Sequence, residues 1–123
     1  MAKRVLYVED NPVNADLMAA IFDGSEGLEL EVAVDGASAL EAIKRCAPDL
    51  LLIDGHLPDM SGIELLGLIR AGSGRQAPAV FVSASDESMC VKAEKAGFDE
   101  SWMKPISPAY ALARVHALVA DRQ

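Results

Sequence analysis

The stretch from Leu50 to Asp54 constrains the fold more than any other part of this sequence. Its first four residues are all apolar, and the carboxylate of Asp54 follows directly. A short run that is apolar on both faces is typical of a strand buried on both sides, as in the centre of a parallel sheet. Because open α/β sheets bind ligands at the carboxyl ends of their strands, Asp54 is predicted to lie at the edge of a crevice.

The rest of the chain repeats the pattern of a strand followed by a helix. Strands are predicted at residues 4–8, 28–34, 50–54, 79–82 and 101–103. Helices are predicted at residues 12–22, 36–47, 62–70, 87–96 and 108–119. This alternation is the rhythm of βα units, and right-handed crossovers make such strands parallel, with helices on both faces. We therefore predict a flavodoxin-like, doubly wound (βα)5 domain of the α/β class, with strand order 2-1-3-4-5.

Local signals mark several of these elements. Asn11 and Pro12 predict a helix start, with asparagine as the N-cap and proline at the first helical position. Four apolar residues then repeat at helical spacing: Val13, Leu17, Ala20 and Ile21. The run 28–34 alternates apolar and polar residues, which is typical of a half-exposed edge strand. Asp35 follows it and is expected to cap the next helix.

Composition limits the kinds of partner and compartment. The 123 residues predict a single domain, 1–123, without room for an output domain. A net charge of −8 argues against direct binding to nucleic acid, since affinity for phosphate backbones depends on Lys and Arg. No apolar run approaches the roughly 20 residues that cross a bilayer, so no membrane contact is expected. Cys46 and Cys90 are far apart and outside any metal-binding pattern, which favours a cytoplasmic protein.

Polar residues gather where the predicted strands end. Glu9 and Asp10 follow the first strand, Asp54 ends the third, and Ser83 and Lys104 follow the fourth and fifth. With strand order 2-1-3-4-5, strands one and three are neighbours about 5 Å apart. The three carboxylates are then expected to converge, with the hydroxyl and the ammonium group on the other side of Asp54.

This set of groups suggests phosphoryl chemistry. Three crowded carboxylates need a positive charge between them, or at least one pKa rises. An all-oxygen cluster with few protein ligands suits Mg²⁺, which often shares its ligand shell with a phosphate. Lys104 fits as a point charge on a phosphoryl group, and Ser83 can donate one hydrogen bond. Asp54 could then accept a phosphoryl group while Mg²⁺ and Lys104 neutralise the developing charge.

Taken together, the motifs resemble the receiver domain of two-component response regulators. The matching stretches are Val8-Glu9-Asp10-Asn11, Asp54 with Leu57-Pro58 and Gly62, Ser83-Ala84 and Lys104-Pro105. They cover essentially the whole chain, in the family's order. The resemblance implies phosphorylation of Asp54 by a phosphohistidine on a sensor histidine kinase or a histidine phosphotransfer protein. It implies a switch that catalyses its own phosphorylation and dephosphorylation rather than a turnover enzyme.

The resemblance also implies roles for individual residues. Asp10, Asp54 and the backbone carbonyl of His56 would bind Mg²⁺, with Glu9 assisting directly or through water. Phosphate contacts are implied for Ser83, Ala84 and Lys104. The side chains of His56 and Ser85 occupy positions that influence how fast the acyl phosphate is lost. The bond between Lys104 and Pro105 is expected to be cis.

The sequence departs from the family pattern at its switch residues. Three residues before the lysine the family usually carries Tyr or Phe, whose ring moves inward with the hydroxyl of the residue equivalent to Ser83. Here that position is Ser101. Trp102 follows it, but adjacent strand residues face opposite sides of a sheet, so Trp102 does not simply replace the ring. Gly55 replaces the apolar residue that commonly follows the acceptor.

Several functions and contexts are compatible with these features. The leading hypothesis is a phosphorelay switch that changes the binding of an unknown downstream protein. A receiver that docks without being phosphorylated is one alternative. An aspartate-nucleophile phosphatase is another, disfavoured because His56 stands where such enzymes usually carry a second Asp. The chain could be a stand-alone protein or an excised part of a larger regulator or hybrid kinase. A homodimer through the last strand and last two helices is possible, with Met89, Trp102 and Tyr110 as candidate contacts.

Overall fold

Five strands alternate with five helices in the part of the chain that a computed structural model describes, residues 2–72, 77–84 and 87–120. The strands are β1 (Lys3–Val8), β2 (Leu28–Ala33), β3 (Leu50–Asp54), β4 (Ala79–Ser83) and β5 (Glu100–Met103). The helices are α1 (Pro12–Phe22), α2 (Gly36–Arg45), α3 (Gly62–Gly72), α4 (Glu87–Ala96) and α5 (Pro108–Ala120).

The strands form one parallel sheet in the order β2-β1-β3-β4-β5, which confirms the predicted fold class and strand order. β3 lies at the centre with β1 and β4 on either side, and all five of its residues are buried. β2 is an edge strand, as its alternating sequence indicated. The bounds of β3 agree with the prediction, so Asp54 ends a central strand.

Alternate residues of the sheet bury into two separate apolar layers. In β3, Leu50 and Leu52 pack on one face, whereas Leu51 and Ile53 pack on the other. The first layer includes residues of α1 and α5, and the second includes residues of α2, α3 and α4. Full burial of one such side chain contributes about 1.5–3 kcal/mol to the free energy of unfolding. The period of two along each strand is therefore what separates the layers.

Both predicted N-caps are present. The Asn11 side chain accepts hydrogen bonds from the backbone N–H groups of Val13 at 2.8 Å and Asn14 at 3.4 Å. Asp35 Oδ1 accepts one from the Ser38 N–H at 2.7 Å. These bonds satisfy N–H groups that have no partner within the first turn of a helix.

The buried face of α1 differs from its most regular apolar repeat. Val13 and Leu17 are 63% and 60% exposed, whereas Met18 and Phe22 are buried. The helix is apolar on more than one side, and only the side with Met18 and Phe22 faces the sheet. An apolar strip of α1 consequently remains on the surface.

Several predicted boundaries were wrong by a few residues. α2 ends at Arg45 rather than at residue 47, and α3 continues to Gly72 instead of ending at Arg70. β2 ends at Ala33, and the apolar Val34 beyond it is 55% exposed. Within the described ranges, no helix is long and apolar enough to span a membrane.

Gly55, directly after Asp54, is packed against an aromatic ring. A Cβ atom at position 55 would lie 2.8 Å from Phe81 Cζ, closer than non-bonded carbon atoms approach. Phe81 is fully buried and makes an edge-on contact with Phe98, with 5.2 Å between ring centroids. The space that a side chain at position 55 would fill is thus taken by the Phe81 ring.

Gly55→Ala is therefore expected to lower the free energy of unfolding by about 1–3 kcal/mol, the usual cost of overpacking. Gly67→Ala is the matched control, because a Cβ at this exposed position of α3 meets nothing within 4 Å. That control should raise stability by about 0.5–1 kcal/mol. Urea unfolding measures both, and combining Gly55→Ala with Phe81→Leu should cost less than the sum of the single changes. Additive losses would contradict the contact.

Candidate functional site

Three carboxylates converge where β1 and β3 end. Glu9 and Asp10 directly follow β1, and Asp54 ends β3. Each offers an oxygen atom, and these oxygens all lie within 4.8 Å of one another. Glu9 and Asp54 are only 1% and 7% exposed, whereas Asp10 is exposed. The predicted convergence is observed, with two of the three acids withdrawn from water.

Lys104 places a positive charge against the two buried acids. Its Nζ atom lies 2.8 Å from Glu9 Oε1 and 3.0 Å from Asp54 Oδ2. Burial alone would lower the pKa of Lys104, but its contacts with the two carboxylates outweigh burial and raise that pKa. The lysine follows β5, and its peptide bond to Pro105 is cis, as expected.

Glu9 has a donor on both carboxylate oxygens. The Tyr7 hydroxyl donates to Oε1 at 2.9 Å, and the Asn11 N–H donates to Oε2 at 3.2 Å. Burial would raise the pKa of Glu9, but Asp54, which keeps the proton of the pair, and the hydrogen bonds from Lys104, Asn11 and Tyr7 outweigh burial and lower the pKa of Glu9 to about 2. Burial and the neighbouring Glu9 raise the pKa of Tyr7, so its hydroxyl stays protonated and able to donate.

Among the described residues, the Asp54 carboxylate has fewer hydrogen-bond donors around it than the Glu9 carboxylate has. Its Oδ1 accepts a hydrogen bond from the His56 N–H at 3.0 Å, and its Oδ2 contacts Lys104. Burial and the adjacent Glu9 raise the pKa of Asp54 despite these two contacts. Because burial and the adjacent acid disfavour the charged form of Asp54, a cation that neutralises this charge would be strongly attracted to the site.

The donor set fits a divalent cation such as Mg²⁺. Glu9, Asp10 and Asp54 together carry up to three negative charges, while Lys104 supplies one positive charge. All three offer oxygen, the ligand atom that Mg²⁺ prefers. The His56 N–H donates a hydrogen bond to Asp54, so the backbone of His56 lies next to the acidic cluster. Metal binding by the His56 carbonyl stays a prediction.

The residues predicted to contact phosphate stand at the end of β4 and directly after β5. Ser83 ends β4 and is 1% exposed, and its carbonyl accepts a hydrogen bond from the Lys104 N–H at 2.9 Å. Ala84 is exposed at the next position. Ser85 lies outside the described residues. Lys104 thus lies against Asp54, whereas phosphate contacts by Ser83 and Ala84 stay a prediction.

The predicted switch residues occupy opposite faces of β5. Trp102 is 2% exposed and packs in the layer with α1 and α5, and its Nε1 donates to Glu100 Oε1 at 3.1 Å. Ser101 pairs in register with Phe81, which belongs to the other layer. The Ser101 Oγ is buried and has no hydrogen-bond partner among the described residues. Trp102 therefore does not stand in for an aromatic residue at 101.

The candidate dimer contacts are unequal. Trp102 belongs to the core, so its predicted role as an interface side chain is wrong. Met89 is partly buried and packs against the core, and Tyr110 is 52% exposed. Of the three, only Tyr110 presents a large exposed surface, and dimer formation itself stays a prediction.

Some residues of the site were not predicted from the sequence. Tyr7 was assigned only to a buried strand, although its hydroxyl reaches Glu9 two positions later, on the same side of the chain. Asp59, in the loop after β3, accepts hydrogen bonds from the Gly36 and Ala37 N–H groups at the start of α2. Gly62, by contrast, belongs to the motif found in the sequence, and a Cβ atom there would clash with the Asp54 carbonyl oxygen.

Comparison with known families identifies the class of protein. Residues 5–116 match the response regulator receiver domain. The chain therefore belongs to the receiver domains of two-component response regulators, whose mode of action is a phosphorylation-based signalling switch.

Curated relatives and solved structures agree with this assignment. The chain is 37% identical over 118 residues to the DNA-binding response regulator MtrA of Mycolicibacterium smegmatis, covering 95% of this chain and 50% of MtrA. It thus spans about half the length of this relative.

Two crystal structures share the whole fold. A CheY-like receiver domain protein from Methanospirillum hungatei has a TM-score of 0.84 at 30% identity, covering 98% of this chain and 96% of that one. The receiver domain of sensor histidine kinase PA1611 from Pseudomonas aeruginosa has a TM-score of 0.87 at 27% identity, covering 98% and 100%. That domain has a magnesium ion coordinated in its active site cleft.

Proposed function

We propose that Asp54 accepts a phosphoryl group from a phosphohistidine donor, with Mg²⁺ as cofactor, and that this modification changes which protein the domain binds. The observation that carries the proposal is the position of Asp54. It is a buried carboxylate at the end of the central strand, beside two further acids and in contact with Lys104. The family assignment and the magnesium ion in the PA1611 receiver domain support the same reading.

The transfer forms a bond between an Asp54 carboxylate oxygen and phosphorus, and it breaks the bond between phosphorus and the imidazole nitrogen. The bonding electrons remain on the imidazole. Lys104 can turn its Nζ from Asp54 Oδ2 to a phosphoryl oxygen, which keeps the ammonium group paired throughout. The Ser83 hydroxyl is proposed to donate to a second oxygen. Burial of Asp54 keeps water away from the acyl phosphate.

Mg²⁺, when bound, would be held by Glu9, Asp10, Asp54 and the His56 carbonyl, and it would neutralise charge on the phosphoryl oxygens. Return to the free carboxylate needs an attacking water. His56 is exposed at the rim of the site. Together with Ser85, it is proposed to influence how easily this water reaches the acyl phosphate. The domain is accordingly proposed to gain and lose a phosphoryl group on its own Asp54 rather than to turn over a separate substrate.

A cleft beside the site is proposed to receive the donor protein. It has a volume of about 580 Å³, and Tyr7, Leu17, Met18 and Lys104 are among the residues that line it. It is largely apolar and continues into the exposed strip of α1 that carries Val13 and Leu17. A partner seated on this strip would be adjacent to Lys104, and so within reach of the acceptor site.

Small phosphodonors test the proposal without a named kinase. The protein is incubated with Mg²⁺ and either acetyl phosphate or phosphoramidate, whose P–N bond resembles that of phosphohistidine, and is then weighed intact. One phosphoryl group per chain is expected, labile in base, and chelation of Mg²⁺ should abolish labelling.

Leu17→Glu should leave labelling by these small donors unchanged while slowing transfer from a phosphorylated histidine phosphotransfer domain.

The other hypotheses make different predictions in the same assay. Absence of an adduct with every donor would favour a receiver that docks without phosphorylation, for which the missing aromatic at Ser101 is the supporting observation. Sustained release of phosphate from unrelated monoesters would favour the phosphatase. Labelling that persists without a divalent cation would contradict the metal assignment.

A further inference from the structure

We propose that Tyr7 is a positioning residue for the metal site: its hydroxyl orients the Glu9 carboxylate and thereby sets the affinity of the site for Mg²⁺. The inference rests on the proposed function, in which Glu9 takes part in holding the ion. It concerns a residue that neither the acidic cluster nor the phosphate contacts include.

Tyr7 is held by the packing of its ring and, among the described residues, by one hydrogen bond from its hydroxyl. Its side chain is 1% exposed and packs in the apolar layer with Met18 and Trp102. The hydroxyl donates to Glu9 Oε1 at 2.9 Å. Because the ring is fixed by packing and the backbone N–H of Asn11 holds Oε2, the carboxylate of Glu9 has a defined rotation. Tyr7 adds a polar atom to a strand whose other buried side chains are apolar.

The role of Tyr7 grows when Lys104 leaves Glu9. Without a phosphoryl group, Glu9 Oε1 accepts bonds from both the Tyr7 hydroxyl and Lys104 Nζ. The phosphoryl group requires Lys104 for its own oxygens, and a bound cation repels the ammonium group. Tyr7 is then the side-chain donor that remains on Oε1. A neutral donor can stay in place beside a cation, whereas Lys104 cannot do so without a Coulombic cost.

Groups that orient a metal-binding carboxylate commonly change metal affinity by 10–100-fold when they are removed. Tyr7→Phe removes the hydroxyl and keeps the ring, so the apolar layer is preserved. We expect the dissociation constant of the ion to rise on the order of 10-fold. In the Lys104→Met background the effect of Tyr7→Phe should be larger, because both side-chain donors that the described residues place on Oε1 are then gone.

The chain offers a matched control in its second tyrosine. Tyr110 lies on α5, is 52% exposed and contacts Trp102 edge-on. Tyr110→Phe also removes a tyrosine hydroxyl, but one that lies away from the acidic cluster, and it keeps the ring contact with Trp102. It should leave both metal affinity and labelling unchanged.

The test measures the ion directly. Mn²⁺ is titrated into wild type, Tyr7→Phe and Tyr110→Phe, the free ion is read by its electron paramagnetic resonance signal, and Mg²⁺ is added as competitor. In parallel, labelling by acetyl phosphate is followed against Mg²⁺ concentration. Tyr7→Phe should raise the half-saturating Mg²⁺ concentration while leaving the rate at saturating Mg²⁺ close to that of wild type.

The possible failures are distinct. If wild type binds neither ion, the proposed function fails before Tyr7 is examined. If wild type binds Mg²⁺ and Tyr7→Phe binds it equally well or more tightly, the inference about Tyr7 is wrong and the proposed function stands. A lower unfolding temperature of Tyr7→Phe with an unchanged dissociation constant would show that the hydroxyl serves only the stability of the fold.

Discussion

Replacing Lys104 with methionine is expected to separate phosphoryl transfer from metal binding. The labelling rate should fall on the order of 100-fold, the usual loss when one charge-stabilising donor is removed from a reacting centre. Affinity for Mg²⁺ should rise, because Glu9 and Asp54 lose the ammonium group that now lies 2.8 Å and 3.0 Å from them. Opposite changes in the two quantities identify Lys104 as the internal competitor of the ion. Parallel losses of both would contradict this role.

The same change should destabilise the fold. Removing one partner of a buried ion pair typically costs 3–5 kcal/mol. Here about 2 kcal/mol is expected at neutral pH, since the lysine is partly exposed and the remaining acids can take up a proton. Millimolar Mg²⁺ should restore part of this loss by binding the folded state. Lys44→Met, at an exposed position of α2, is the control and should stay within about 0.5 kcal/mol of wild type.

Asp54→Asn is the second variant with a large expected effect. It removes the nucleophilic carboxylate and keeps the shape of the side chain, so the phosphoryl adduct should be lost completely. It should also make the folded protein more stable at neutral pH, because Asp54 is a buried charge beside Glu9. Loss of labelling together with increased stability is characteristic of a site kept for reactivity at the expense of stability. A variant that is still labelled would contradict the assignment of Asp54.

The stability gain should depend on pH in a defined direction. Burial, with the adjacent Glu9, raises the pKa of Asp54 in the folded protein above its ordinary value of 3.8. Its contribution to stability is therefore present below pH 3.8 and is lost as the pH rises through the raised pKa. Asp54→Asn should match wild type at low pH and exceed it at neutral pH. Urea unfolding across this pH range measures the difference in free energy of unfolding between Asp54→Asn and wild type. A difference that does not vary with pH would contradict the raised pKa of Asp54.

The contribution of Glu9 to the free energy of unfolding should depend on pH with the opposite sign. Its pKa is lowered from an ordinary value of 4.5 to about 2, with Lys104 and Tyr7 among the groups that lower it. Its contribution to stability is present above pH 4.5 and is lost as the pH falls through about 2. The two neighbouring acids thus act in opposite directions: Glu9 makes the folded protein less stable as the pH falls, and Asp54 makes it less stable as the pH rises.

Much of the fold and the position of the site could be predicted because they depend on short-range patterns. The bounds of β3 follow from an uninterrupted apolar run, and the convergence of Glu9, Asp10 and Asp54 follows from strand order alone. The N-cap at Asn11 depends on a preference of the helix terminus itself. The strand and the cap are each marked by residues within a few positions of the feature, and the convergence then follows from the order of the strands.

The remaining features depend on contacts that no single stretch contains. α1 is apolar on more than one side, so periodicity could not decide that Met18 and Phe22 face the sheet rather than Val13 and Leu17. The fit between Gly55 and Phe81 joins two strands, and it becomes visible only once the ring is placed.

Tyr7 belongs to the same category, because an aromatic residue in a buried strand is usually explained by packing alone. Its spacing of two residues from Glu9 was the one available signal, since residues at this spacing lie on the same side of a strand. That spacing shows its meaning only when the hydroxyl is seen to reach Glu9 Oε1.

Chemical mapping of the phosphorylated residue tests the central claim most directly. After labelling by acetyl phosphate with Mg²⁺, the protein is reduced with borohydride, which converts an aspartyl phosphate into homoserine, and its peptides are sequenced by mass spectrometry. Homoserine at position 54, absent when Mg²⁺ is chelated, is the predicted result. Homoserine at another aspartate, or no conversion at any position, would contradict the assignment of Asp54 as the phosphoacceptor.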